Sequence, residues 1–123
     1  MAENAASATG ARVDSGKPTP ERLSRMTLRT TFLGTSGAVP TTRRAPSALM
    51  VHREGERFLF DCGEGTQRQM MQFNTGFDVD HVLLTHLHGD HVLGLPGLLQ
   101  TWDFQDRTDA VAIHGPPGSR QQI

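Results

Sequence analysis

The stretch that most restricts how this chain can fold is Thr85-His86-Leu87-His88-Gly89-Asp90-His91, which follows the apolar run Val82-Leu83-Leu84. It sets three imidazoles and one carboxylate within six residues, at the end of what reads as a buried strand. Polar groups taken out of water without partners cost roughly 2 to 7 kcal/mol each, so a fold that collects these four needs a cation among them. Imidazole nitrogen favours zinc and its neighbours, whereas an all-oxygen set favours magnesium or calcium. His86 and His88 stand two apart, project to one side of extended backbone and are placed to grip one ion. Gly89 permits a tight turn, after which Asp90 and His91 aim elsewhere, as a second ion requires. Two ions roughly 3.5 to 4 Å apart clamp phosphodiesters during hydrolysis. The bland alternative is a His-rich loop in water with no ligand role.

A chain of 123 residues forms one domain at most and can bury a workable core. With 36% apolar residues and a net charge of −1 it is no bulk polycation, so any nucleic-acid contact must be local. One lysine, Lys17, stands against eleven arginines; either their planar forks serve bidentate phosphate contacts or the bias is a compositional habit. The single cysteine, Cys62, excludes an internal disulfide framework and fits a reducing interior, where it reads as a small buried hydrophobe. No run approaches ~18 apolar residues and the N-terminus lacks an apolar signal core. A soluble, cytoplasmic protein without membrane attachment is expected.

Residues 1–25 are rich in Ala, Ser, Thr, Gly and Pro without sustained period and are expected to be a disordered leader, or an over-extended start with the true one at Met26. Strands are expected over Thr27–Leu33, Ser47–Arg53 and Arg57–Asp61, the last two closed into a hairpin at Gly55. Pro40 and Pro46 bracket a loop holding Arg43 and Arg44. A helix starts at Thr66, with Met70, Met71 and Phe73 as its apolar side, and ends at Asn74-Thr75-Gly76. Asp80–Thr85 is a strand, His91–Phe104 a helix with Pro96 near its first turn, and Ala110–His114 a short strand before Gly115-Pro116-Pro117-Gly118. Strands alternating with helices predict an α/β layered sheet. Asp61, at a strand end, either orients a ligand histidine or caps a turn.

Three further segments narrow the field: Phe32-Leu33-Gly34-Thr35, the run from Phe60-Asp61-Cys62-Gly63-Glu64-Gly65-Thr66 to Met70, and Gly94-Leu95-Pro96-Gly97-Leu98-Leu99. With the His-rich signature they resemble the ribonuclease Z family of the metallo-β-lactamase superfamily, from about Met26 to Ile123. The resemblance implies a four-layer αββα sandwich, of which 26–123 is the N-terminal half. It implies a zinc-dependent endoribonuclease that removes the 3′ trailer from precursor tRNA by metal-activated hydroxide attack, leaving a tRNA 3′-hydroxyl and a 5′-phosphorylated trailer. By the same resemblance His86 and His88 bind the first zinc, Asp90 and His91 the second, and Asp90 accepts the proton of the attacking water. Asp61 supports the centre, and the full-length protein is a homodimer.

Two departures stand out. Where the family loop reads Pro-x-Lys-x-Arg-Asn, this chain keeps Pro40 and Arg44 but has Thr42 for the lysine and Ala45 for the asparagine. Arg44 is either a phosphate contact or a solvated loop charge. The family's downstream His, Asp and His ligands and its tRNA-gripping arm have no counterpart here, and His114 reads as structural. The chain is therefore expected to be an N-terminal piece, catalytically silent by itself, with an uncovered apolar sheet face. Two other readings remain open: a superfamily hydrolase of small phosphodiesters, sulfate esters, thioesters or lactones, and a metal-binding or interaction fragment.

Overall fold

Two β-rich runs meet across a two-residue turn. In the computed structural model, which describes Lys17, Thr19, Pro20 and residues 28–123, β1 spans Arg29–Gly34, β2 Ala48–Arg53 and β3 Glu56–Phe60. β2 and β3 pair antiparallel from Arg53↔Glu56 to Leu49↔Phe60. Between them Glu54 and Gly55 take φ of 48° and 88°, the left-handed pair whose twist matches that of the flanking strands. β1 adds antiparallel to the outer side of β2. The leader expected at 1–25, three positions aside, and the start at Met26 lie outside the described residues.

Beyond β3 the sheet grows by parallel pairing. β4 (His81–Leu83) lies beside β3, and β5 (Ala112–His114) beside β4, giving the order β1-β2-β3-β4-β5. Parallel neighbours need crossovers, and right-handed crossovers between successive strands bring the intervening helices to one face. These are α1 (Thr66–Gln72), α2 (Gly89–Val92) and α3 (Leu95–Phe104); α4 (Ser119–Gln122) follows β5. Met50, Leu59 and Val82 form one row across the sheet and are buried with Met70 of α1 and Leu95, Leu98 and Trp102 of α3. Each such side chain contributes about 1.5 to 3 kcal/mol by leaving water. Trp102 also donates its indole N–H to the Phe77 carbonyl at 2.6 Å, so its polar edge is satisfied. Val51, Phe58, Leu49, Phe60 and Leu83 point to the opposite face, where none is fully buried and Phe32 is 52% exposed. Among the described residues, one sheet with helices on one side makes two of the four layers that the resemblance implies.

Several expectations shift. The strand expected over Asp80–Thr85 shrinks to His81–Leu83: the Leu84 N–H still donates to the His114 carbonyl along the ladder, but the next N–H, that of Thr85, goes to the Asp61 carboxylate instead. The single helix expected over His91–Phe104 is two, broken at Leu93-Gly94. A Cβ on Gly94 would lie 2.1 Å from the Gly63 carbonyl oxygen, and the Gly94 N–H instead donates to the Cys62 carbonyl at 2.9 Å. The break is therefore where α3 docks on the segment after β3. Of the apolar side expected for α1, only Met70 is buried; Met71 is 65% exposed and Phe73 40%. Leu93 and Leu99 likewise face outward, since burial on the α3 side follows Leu95, Leu98 and Trp102 at helical spacing.

The carboxyl ends of β3 and β4 lie side by side, so the segments that leave them, from Asp61 and from Leu84, emerge together. The 35–47 connection joins β1 to β2 at the same end, where Gly34 pairs with Ala48 and β2 begins beside the end of β3. Segments outside the carboxyl ends of parallel strands are the usual place for a ligand site in open α/β sheets.

Candidate metal centre

Asp61 is the first residue after β3 and takes a left-handed φ of 61°, a conformation Asp tolerates better than most residues and one that tends to occur at functional sites. That turn drives its carboxylate inward, to 4% exposure, beneath the loop leaving β4. There Oδ1 accepts the Thr85 backbone N–H at 2.8 Å, and the Thr85 hydroxyl lies 3.1 and 2.9 Å from Oδ1 and Oδ2. Oδ2 also accepts from His91 Nδ1 at 2.8 Å. With Nδ1 carrying the shared proton, His91 keeps its Nε2 lone pair, and that atom lies 3.1 Å from Asp90 Oδ2. One carboxylate thus does both things left open by the sequence: it caps the turn at Thr85 and orients an imidazole.

Around His91 the other polar groups converge. The rings of His86 and His91 have centroids 3.8 Å apart, and His86 Nδ1 lies 3.0 Å from the Thr85 hydroxyl. Ligand atoms from His86, Asp90 and His91 all fall within 4.8 Å of one another, each side chain half-buried. His88 stands at the rim, exposed, its ring edge-on to His86 with centroids 4.9 Å apart. Hence the spatial grouping is His86 with Asp90 and His91, while sequence spacing pairs His86 with His88. Two imidazoles and a carboxylate, one imidazole held through its far nitrogen by a buried carboxylate, is the donor set and supporting hydrogen bond of a transition-metal site. The residues fit a divalent cation.

Backbone bonds lock this cluster to its floor. Cys62 donates its N–H to the His91 carbonyl at 2.8 Å, Asp61 to the Leu83 carbonyl at 2.9 Å, and a Cβ on Gly63 would come within 2.5 Å of the Asp90 carbonyl oxygen. Cys62 itself is fully buried, and burial, with Asp61 adding in the same sense against a hydrogen bond from Thr66, pushes its thiol up to about 12. It is packing, not chemistry. His114 sits at the end of β5, its Nε2 3.3 Å from His81 Nδ1 and outside the cluster. Thr85 carries no role in the sequence expectations, although its hydroxyl lies between the Asp61 carboxylate and His86 Nδ1.

Arg44 lies on the 35–47 loop rather than in the cluster. Thr41 Oγ1 accepts the N–H groups of Arg43 and Arg44 at 3.2 and 2.9 Å, and Thr41 donates its N–H to the Arg44 carbonyl at 2.8 Å, closing the turn. The turn forms one wall of a groove of about 990 Å³ whose other wall is α1 and whose far end is Leu93-Gly94.

A family profile for the Metallo-beta-lactamase superfamily matches residues 41–122. The chain is 72% identical over 98 residues to a ribonuclease Z of Haloferax volcanii and 67% identical to one of Haloarcula marismortui. These alignments take in 80% of this chain but 31% and 32% of the relatives, so the chain spans about a third of their length. Among solved structures, the short form of human tRNase Z superposes with a TM-score of 0.71 at 47% identity, over 76% of this chain and 37% of that one.

Proposed function

The chain belongs to the metallo-beta-lactamase superfamily, and from that premise we propose that it supplies the metal-ligand loop of a ribonuclease Z type endoribonuclease, which removes the 3′ trailer from precursor tRNA. The observation that carries this reading is the convergence of His86, Asp90 and His91 over the Asp61 carboxylate, in a chain 72% identical to a ribonuclease Z. His86 lies beside both His88 and the Asp90–His91 pair, so that His86 and His88 would hold one zinc ion, and Asp90 and His91 a second. Zinc held there supplies a nucleophile at neutral pH and offsets the charge that develops on the non-bridging phosphate oxygens.

The chain's own residues do the rest. Asp61 fixes the tautomer of His91, so that its Nε2 faces the centre. Asp90 takes the proton of the attacking water. Arg44, on a turn already closed by Thr41, holds a phosphate of the substrate near the centre. The products are a tRNA 3′-hydroxyl and a 5′-phosphorylated trailer. The enzyme acts in the cytoplasm as a homodimer; among the described residues no helix is long and apolar enough to cross a membrane.

Four ligands divided between two ions leave two each, fewer than the three protein ligands usual at catalytic zinc. This chain alone is accordingly expected to bind zinc weakly and to turn over no substrate. The test uses the full-length enzyme with zinc and a 3′-extended precursor tRNA. A single cut beside the discriminator base is expected. Turnover of a small chromogenic phosphodiester with every precursor left intact would overturn the reading in favour of a small-ester hydrolase.

A further inference from the structure

The groove between the 40–45 turn and α1 contains more positive charge than the sequence motifs account for. Arg43 and Arg44 rise from the turn, Arg68 faces them from α1, and Glu64 is the single carboxylate among the lining residues. All three guanidinium groups are exposed, and among the described residues none makes an ion pair or a side-chain hydrogen bond. The backbone that carries them is nonetheless fixed. The turn is tied by Thr41, while Gln67 and Gln69, on either side of Arg68, are held by the Thr101 hydroxyl and by the Leu33 carbonyl at 2.8 Å. Three uncompensated planar forks on two fixed walls are suited to an extended polyanion, since each guanidinium can hold a phosphate through two parallel bonds.

One end of the groove lies close to the metal centre along the backbone. Its end at Leu93-Gly94 is two residues past His91, and Gly94 is bonded to Cys62, whose own N–H holds the His91 carbonyl. It is an open groove of about 990 Å³ and not an enclosed cleft. Its lining lacks any exposed aromatic residue on which a base would stack, so the recognised feature is the backbone. We propose that Arg43 and Arg68, with Arg44, form a phosphate track for single-stranded RNA running into the cleavage centre, and that Arg68 is a positioning residue on the α1 side. This rests on the endoribonuclease reading and adds two residues to it.

The experiment measures binding of a fluorescently labelled, unstructured RNA oligonucleotide to this chain by anisotropy, in EDTA so that nothing is cut, between 50 and 300 mM salt. Each phosphate contact on a single strand contributes about 0.7 to the slope of log affinity against log salt, or about fivefold in affinity at 0.1 M. Arg43→Gln and Arg68→Gln should each weaken binding about fivefold and lower the slope by about 0.7, and the double variant by about 1.4. Arg53→Gln, at the far end of β2, should leave both unchanged. Equal losses in all three single variants, no loss in any, or no RNA binding by the parent chain would each overturn the track. The outcome is separable from the fate of the endoribonuclease reading. Precursor cleavage by the full-length enzyme with an unaltered KM in Arg68→Gln would sink the track alone, and arginine-dependent binding without cleavage would sink the reaction alone.

Discussion

Replacing Asp61 with asparagine changes one atom and sets two demands against each other. The carboxylate accepts from Thr85 N–H on one oxygen and from His91 Nδ1 on the other, both at 2.8 Å, in a site where the side chain is 6% exposed. An asparagine has one oxygen to offer. If that oxygen stays with Thr85, the amide N–H meets the Nδ1 proton of His91, and the ring must move its proton to Nε2, losing the lone pair that faces Asp90. If the amide is reversed, a part-buried backbone donor at Thr85 is stranded, at a cost of up to about 3 kcal/mol. Asn tolerates left-handed backbone as readily as Asp, so the 61° φ of this position adds no strain to the variant. The first outcome is cheaper for the fold and harmful to the ligand. Loss of such a supporting hydrogen bond typically weakens metal binding 10- to 100-fold, which corresponds to about 1.4 to 2.8 kcal/mol. Zinc affinity is read by competition against a chromophoric chelator, and metal-free stability by urea unfolding of the same samples. We expect zinc binding to weaken by that factor, with metal-free stability lowered by no more than about 3 kcal/mol. Zinc affinity unchanged in a folded Asp61→Asn protein would refute the role assigned to the Asp61–His91 bond.

Two further outcomes follow from titrating groups. His52, on β2, is held below its ordinary value of 6.5 by partial burial and by the neighbouring Arg57 and Arg29 charges, against a smaller opposing effect of Asp80. Its contribution is fully present above pH 6.5 and is lost as pH falls towards the lowered value, so His52→Gln should unfold with a shallower dependence on pH below about 6.5; an identical pH profile would contradict this. Cys62, with its thiol pushed up to about 12 by burial, should react with a thiol reagent at pH 8 only as fast as the chain opens, and denaturant should accelerate it steeply; rapid labelling of the folded protein would show the site to be more open than the packing around it.

What the sequence displays and what it hides divide along the range of the interactions. The β2–β3 hairpin is visible because Glu54-Gly55 is a local turn signal between two alternating runs. The position of the His-rich loop after a strand is visible because Val82-Leu83-Leu84 announces burial. The break between α2 and α3 is not, since Leu93-Gly94 reads as continuous helix and is interrupted only by the backbone of Gly63, some thirty residues earlier. Met71, Phe73, Leu93 and Leu99 look like core by composition, yet Met71 and Leu99 lie on exposed helix faces and Phe73 and Leu93 just past helix ends, all four exposed. At the centre, spacing along extended backbone associates His86 with His88, but the helix that starts at Gly89 brings Asp90 and His91 back towards His86. Arg68 could not be paired with Arg43 and Arg44 from sequence, because the fold of α1 against the 35–47 loop is what sets them across one groove.

If the cluster over Asp61 holds divalent metal, calorimetric titration of the chain with zinc will register it. Heat of binding should be present in the parent protein and absent from a folded variant carrying His86→Ala, Asp90→Ala and His91→Ala together. Equal zinc uptake by both proteins would contradict the account.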